Sequence, residues 1–400
     1  MTSKTKVVLF SYGGGMRGII PASLMNYMEE RTGLRMVDLV DVFCGPSTGS
    51  ILNAALNVPH PHRPGRPKYR ARHLIKFYER EGKHIFPTDS FRDFRALIHD
   101  FNNRTMRISK LRNIMRLGHY SPAELSRCLK LLYGETRLQD SLKSLIISTY
   151  NIDGAALDPV LEDGEDENAP VHTKNNFLTE GGHAVWMKHI KAPMLNAKPA
   201  PTVSLYDAVM GSTAAPTYFP CHHFDMDSKP VSGIDGSLFD NPCVNYHGAV
   251  RQHLDDDERT IMILLGTGYT LPSISKDDWN SYGNIGVVDP ANDLPLINIL
   301  FHAPESALIE SFNDTLGDDL YIFNKSLISC DPAHKPSRQI DDATPENIAA
   351  MKRFAKAMIE EQKDRLDALC DILEANYEAN TQEKAAKAKD NRGWFSFFSK

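Results

Sequence analysis

Ser47 lies between glycines in Gly45-Pro46-Ser47-Thr48-Gly49, and an earlier apolar run ends in Gly13-Gly14-Gly15-Met16-Arg17-Gly18. A Gly-x-Ser-x-Gly segment between a strand and a helix holds its serine on a strained turn, where the glycines keep Cβ atoms out of a crowded space. The hydroxyl is then an exposed nucleophile suited to acyl transfer. A glycine-rich loop that presents free N–H groups suits the other half of that chemistry, holding the charge that develops on a carbonyl oxygen.

A serine hydroxyl is a weak nucleophile at neutral pH, so a base must take its proton. With 15 histidines in the chain, a Ser-His-Asp triad is numerically open. No histidine stands in a recognisable motif, however. His222 and His223 follow a proline-rich turn, and His247, His253 and His302 fall in helix-like segments, where structural or surface roles are expected. Asp235-Gly236-Ser237 is the alternative, because its acid ends a short apolar strand and the small residues after it let the backbone approach another element closely. By itself an Asp-Gly pair is ordinarily a turn. Its order and spacing after Ser47 favour the carboxylate as the base.

The glycine loop also supports a rival chemistry. Gly13, Gly15 and Gly18 satisfy Gly-x-Gly-x-x-Gly after a strand and before a helix, which makes a dinucleotide-binding oxidoreductase an alternative. That reading requires an acid near Asp38 or Asp41 at the end of a second strand, whereas Asp41 interrupts the run that leads to Ser47. The six cysteines, Cys44, Cys128, Cys221, Cys243, Cys330 and Cys370, form no Cys-x-x-Cys pair and read as buried free thiols. No metal and no cofactor are expected.

These residues need elements to hold them. Val7–Ser11 reads as a strand, Ile20–Met28 as a helix, Leu39–Cys44 as a buried strand and Thr48–Leu56 as a helix, a βαβα opening that predicts a parallel sheet covered by helices with right-handed crossovers. Ser121-Pro122-Ala123-Glu124 is a helix start. Leu145–Tyr150 reads as a strand, Ser204–Met210 as a helix, Val231–Ile234 as extended and Ile261–Leu265 as a central strand ending at Gly266-Thr267-Gly268. From Thr344 a single amphipathic helix is expected to about Glu378, with Ile348, Met351, Phe354, Met358, Leu366 and Leu369 among its apolar positions.

Residues 59–120 differ in composition, with 15 Lys or Arg against 5 Asp or Glu and with Tyr69, Phe77, Tyr78, Phe86, Phe91, Phe94 and Phe101 interleaved. This basic helical insertion is either a solvated face or one that attracts an anionic surface. It contains no nucleic-acid reading module, and no nucleic-acid partner is expected. The acidic stretch Asp153–Ala169 reads as an exposed loop that could act as a lid. The lysine-rich 384–389 segment leading into Trp394–Lys400 reads as a flexible tail or as a membrane or partner anchor.

At 400 residues and 42% hydrophobic, the chain can bury a large core, and a net charge of −6 is mild for that length. The N-terminal apolar run is too short for a secretory signal and no run has the length of a membrane span, so a cytoplasmic protein, peripheral at membranes, is the expectation. Secretion by a route without a cleaved signal is compatible with the same residues.

The chain resembles the patatin-like phospholipases. The resemblance rests on the Gly13–Gly18 loop, Gly45–Gly49, Gly211–Pro220, Asp235-Gly236-Ser237 with Asp240-Asn241-Pro242, and Leu265–Gly268, five segments in the family's order over residues 7–325. It implies an α/β fold, a three-layer α/β/α sandwich with a mainly parallel central sheet, plus the helical insertion and a C-terminal helix. The catalytic domain would span 1–330, a helical extension 331–380 and the tail 381–400. It also implies a Ser-Asp dyad, with Ser47 as nucleophile and Asp235 as general base, and an oxyanion hole at Gly13, Gly14 and Gly15. Gly14 and Gly15 would be the chief donors. Gly18 and Arg17 would support the loop, Arg17 preferably through hydrogen bonds to backbone carbonyls and otherwise near a lipid phosphate, while Gly45 and Gly49 shape the elbow. The segment from Ser212 to Pro220 would line the acyl channel and support the dyad.

Two residues depart from the family pattern: Pro46 stiffens the elbow, and Ser237 adds a hydroxyl that could lower the basicity of Asp235. The activity implied is that of a phospholipase A-type lipid acyl hydrolase working through an acyl-enzyme, with a lipid ester as substrate and transient membrane contact. An esterase or neutral-lipid lipase on the same fold, and a membrane- or partner-binding effector with weak catalysis, are the alternatives. An activator and the oligomeric state are left open.

Overall fold

The computed structural model describes residues 5–87, 120–153, 181–270, 274–287, 295–328 and 335–397. Most of the basic insertion, with Phe91, Phe94 and Phe101, the acidic loop beyond Asp153, Cys330 and the last three residues lie outside the described residues.

An eight-stranded sheet organises the chain. Its strands are β1 (Thr5–Ser11), β2 (Val42–Cys44), β5 (Ser144–Asn151), β6 (His183–His189), β7 (His222–Met226), β8 (Lys229–Asp235), β9 (Arg259–Leu265) and β10 (Leu320–Phe323), while β3 (Pro59–His60) and β4 (Arg63–Pro67) form a separate hairpin. The order is β10-β9-β1-β2-β5-β8-β7, with β6 also paired to β5. From β10 to β5 every pair is parallel, and β6, β7 and β8 add antiparallel pairs at the other side. Alternation along β1 sends Val7 and Leu9 into one core and Val8 and Phe10 into another, all 0–1% exposed. Two helical layers thus sandwich the sheet in the three-layer α/β/α arrangement.

The larger core is covered by α1 (Ile19–Thr32), α3 (Thr48–Asn57), α4 (Ala71–Ile85), α5 (Pro122–Tyr133), α6 (Leu205–Ser212) and the C-terminal helices. Where one strand is expected over Leu39–Cys44, the chain makes a helical turn, α2 (Met36–Leu39), before the short β2. Local acids explain it: Asp38 accepts the Arg35 amide at 3.1 Å and Glu29 accepts the Met36 amide at 3.1 Å, which satisfies the donors of the turn.

The expected single C-terminal helix is two, Pro345–Glu361 and Lys363–Phe397, separated at Gln362 (φ −112°, ψ 19°). Both pack on α1, where Tyr27 and Arg31 reach Asp367 and Asp371 at 2.6 and 2.7 Å. The apolar period from Met358 to Leu366 runs through the break, so nothing in the pattern marks it. Among the described residues no helix is long and apolar enough to cross a membrane.

Candidate active site

The register of the sheet brings the two principal residues together. Parallel β2 pairs with the start of β5, Cys44 opposite Ile146, and antiparallel β8 pairs with its end, Asp235 opposite Thr149. Both lie on one edge of β5, so the C-terminal ends of β2 and β8 run toward each other with about 10 Å of strand between their last rows. The turn after β2 carries Ser47, and Asp235 closes β8.

Ser47 sits at φ 52°, ψ −128°, a conformation that a non-glycine residue adopts only when its surroundings impose it. The flanking glycines are required because a Cβ on either Gly45 or Gly49 would collide with the Ser11 carbonyl oxygen. Asn53, one turn into α3, ties the elbow down by donating to the Cys44 carbonyl at 2.7 Å and accepting from Ser11 Oγ at 3.0 Å. The Ser47 amide donates to Ser212 Oγ at 3.0 Å.

Asp235 is 2% exposed and accepts the Ser237 amide at 2.8 Å. Burial raises its pKa from 3.8 to about 6, and the Ser47 hydroxyl, then the amide and hydroxyl of Ser237, pull the other way. Ser237 Oγ is buried beside the carboxylate, against Gly13, without completing a hydrogen bond to any group, so it acts on Asp235 as a nearby dipole.

In the glycine loop the carbonyls are turned away. Thr267 Oγ1 donates to the Gly13 carbonyl at 2.7 Å, the Arg17 amide to the Gly14 carbonyl at 3.1 Å, and Thr48 Oγ1 to the Gly15 carbonyl at 2.9 Å. In a trans peptide the next N–H points opposite its carbonyl, so the first two contacts orient the Gly14 and Gly15 amides. Among the described residues the amides of Gly13, Gly14 and Gly15 donate no hydrogen bond. The Met16 amide is taken by the Ile340 carbonyl at 2.7 Å, from a segment just before the C-terminal helices. Gly18 is held small by Thr48 and Tyr78, which themselves share a hydrogen bond.

Arg17 departs from the expected support role. Its guanidinium bonds no backbone carbonyl among the described residues, its Nε is buried without a partner, and burial lowers its pKa to about 10, with only the Tyr218 phenol acting in the other direction. It is still a cation at neutral pH.

Ser47 and Thr48 open on a small solvent-connected cavity whose walls include Phe77, Tyr78, Ile85 and Phe86. Thr213, Ala215, Tyr218 and Phe219 also line it, as expected of the segment after Gly211. The histidines singled out are engaged elsewhere: His222 meets Asp207 at 3.0 Å, His223 meets Ser232 at 3.0 Å and His253 meets the Leu195 carbonyl at 2.9 Å. The acids a dinucleotide reading needs are also engaged, Asp38 by the Arg35 amide and Asp41 by the Val7 amide at 3.1 Å and by Lys143 at 3.2 Å. Cys44, Cys128, Cys243 and Cys370 are buried free thiols and Cys221 is exposed.

Asn53, Thr267 and Asp240 carry no individual role in the sequence reading, whereas Ser212 opens the segment expected to support the dyad and does so through the Ser47 amide. Asp240 is a second buried carboxylate, 3% exposed, that accepts from Ser148 at 2.6 Å, Asn245 at 3.0 and 3.1 Å, and Trp186 at 3.4 Å.

A family profile described as Patatin-like phospholipase matches residues 11–246. Patatin-16 of Solanum tuberosum is 24% identical over 379 residues, 88% of this chain and 83% of the relative. Patatin-like protein 2 of Oryza sativa subsp. indica is 24% identical over 396 residues, 91% of this chain and 86% of the relative. The crystal structure of VipD from Legionella pneumophila aligns over 88% of this chain and 67% of its own at 12% identity, with a TM-score of 0.30 that is too low to argue from. The profile spans the elbow, the glycine loop and the Asp235 strand in one stretch, and the chain belongs to the patatin-like phospholipase family, whose activity is in general that of a lipid acyl hydrolase.

Proposed function

We propose that the protein is a phospholipase A-type lipid acyl hydrolase that works through a Ser47–Asp235 dyad. The observation that carries this reading is a serine on a strained elbow, beside a buried carboxyl raised to about 6 and at the mouth of an apolar cavity. Asp235 accepts the Ser47 proton as Ser47 attacks the ester carbonyl. The tetrahedral oxyanion is held by the Gly14 and Gly15 amides, with Gly13 shaping their approach. Collapse breaks the ester bond, the alcohol leaves with the proton from Asp235, and Ser47 carries the acyl group. Asp235 then takes a proton from water as the hydroxide attacks the acyl carbonyl, returns it to the departing Ser47 oxygen, and a fatty acid is released.

The acyl chain lies in the cavity bounded by Phe77, Tyr78, Phe86 and Phe219. Arg17, a loop cation whose Nε is buried without a partner, favours a substrate with an anionic phosphate over a neutral lipid. The lipid is met at a membrane surface during transient contact.

The test is fatty-acid release from mixed anionic phospholipid vesicles and from a neutral triacylglycerol emulsion by the natural protein, Ser47→Ala and Asp235→Asn, each checked for folding. Release from phospholipid that both substitutions abolish is the expected result. Equal release by all three proteins rejects the dyad, and release from triacylglycerol alone rejects the phospholipid.

A further inference from the structure

The helix that walls the cavity has a second face. Leu74, Phe77, Tyr78 and Ile85 turn the buried side of α4 inward, and the last three line the cavity with Phe86 just beyond the helix. At 100° per residue, Arg72, Lys76, Arg80 and Lys83 fall within an arc of about 80° on the opposite side. All four are exposed. They form a row of cations along a helix about 22 Å long that ends at the lip of the site.

Among the described residues nothing neutralises this row. Residues 59–87 hold eight Lys or Arg against two Glu. Both acids are committed sideways, Glu79 to Lys352 at 2.6 Å and Glu81 to Arg127 at 2.7 Å. Among the described residues none of the four cations has an ion pair. The hairpin just before the helix adds the exposed Arg63 and Arg66, of which Arg66 reaches Asp38 only at 3.7 Å. The cations crowd one another: after burial, Arg72, Lys76, Arg70 and Arg35 together oppose protonation of His73, and Arg70 and Arg66 act the same way on Arg35.

At the N-terminal end the arrangement works against the helix, while Lys83 in the last turn does not. Cations in a first turn oppose the macrodipole, and like charges four residues apart repel. No acid stands in the first turn of α4. A charge pattern that weakens its own helix and faces solvent calls for an anionic partner.

We propose that the outer face of α4, extended by the β3–β4 hairpin, docks the protein on an anionic phospholipid bilayer. The inference rests on the lipid-hydrolase reading for its choice of occupant. One helix would then set its cations among the headgroups while its inner face forms the wall that receives the acyl chain.

The experiment compares the natural protein with a combined Arg72→Glu, Lys76→Glu, Arg80→Glu variant, and with the corresponding glutamine variant, in co-sedimentation with phosphatidylcholine vesicles with and without phosphatidylglycerol. Hydrolysis of a soluble short-chain ester is read in parallel. The expected result is binding that requires phosphatidylglycerol, weakens with salt, falls at least about tenfold in the glutamate variant and less in the glutamine variant. Soluble-ester hydrolysis should stay within about twofold, since α4 keeps its inner face. Unchanged vesicle binding by the glutamate variant overturns the proposal. So does equal binding to neutral vesicles, or a loss of soluble-ester activity as large as the loss of binding. A natural protein that hydrolyses no ester yet still needs these cations to bind anionic vesicles rejects the hydrolase reading and leaves the docking surface standing.

Discussion

Asp235 and Asp240 lie on the same short stretch, both are almost fully buried, and burial raises both from 3.8 to about 6. They differ in what faces their oxygens. Asp240 is saturated, with Ser148 on one oxygen, Trp186 on the other and Asn245 reaching both. Asp235 has one formed hydrogen bond, from the Ser237 amide, and turns the rest of its capacity toward the Ser47 hydroxyl. A raised pKa therefore records desolvation and does not by itself pick the base. A base needs an unoccupied lone pair facing its proton donor, and only one of the two carboxylates has it.

The largest effects should separate the pair by rate. Ser47→Ala and Asp235→Asn are expected to lower kcat by about 10⁴-fold or more, whereas Asp240→Asn should stay within about tenfold. The base acts in its ionised form, so kcat/KM should rise with pH through about 6 and then level. Asp240→Asn should keep that limb. A limb that disappears in Asp240→Asn would assign it to the wrong carboxylate and undo the comparison.

Stability should distinguish them in the other direction. A carboxyl whose folded pKa is raised favours the folded state below its unfolded value near 3.8, and that advantage is lost as pH climbs through about 6. Asp240→Asn cannot ionise. Relative to the natural protein it should therefore gain as much as about 2 kcal/mol between pH 4.5 and 7.5, read from denaturant unfolding at the two pH values. A difference that does not change with pH would mean that burial leaves Asp240 unshifted.

The oxyanion loop offers the same contrast between saturated and free groups, since its carbonyls are bonded and its Gly14 and Gly15 amides are not. Thr267→Val keeps the shape and removes the donor to the Gly13 carbonyl, so the Gly14 peptide loses its orientation. We expect kcat to fall by about ten- to a hundredfold with KM held, and Thr267→Ser to restore most of it. A loss in Ser with Val unaffected would point instead to packing of the threonine methyl against Gly14, whose absent Cβ would stand 3.1 Å from Thr267 Cγ2.

What could be read from the sequence was whatever a local constraint writes into neighbouring residues. Gly45 and Gly49 follow from one carbonyl, that of Ser11, and the Asp-Gly-Ser step follows from Gly236 lying against the Ser148 backbone. The three-layer sandwich was readable because β1 and β9 are buried on both faces. Long-range partners left no such trace. Ser212 reaches Ser47 across 165 positions and Thr267 reaches Gly13 across 254. The segments around both residues carry the family resemblance, but nothing local says which hydroxyl reaches across. Arg17 shows the converse, since its type and spacing suggested bonds to the loop that tertiary packing does not supply.

The smallest effect belongs to the residue that separates the two carboxylates chemically. Ser237 Oγ faces Asp235 and favours its charged form without completing a hydrogen bond. Asp240 already has its full set of donors, so the same hydroxyl would add little there. Ser237→Ala should raise the pKa of Asp235, moving the acidic limb of kcat/KM upward by less than about one unit. Activity at pH 6 should then fall by about two- to fivefold, while activity at pH 8, where the carboxylate is ionised in either protein, stays the same. An unmoved limb with activity lost equally at both pH values would place the Ser237 hydroxyl with Gly13 and the loop instead of with the base.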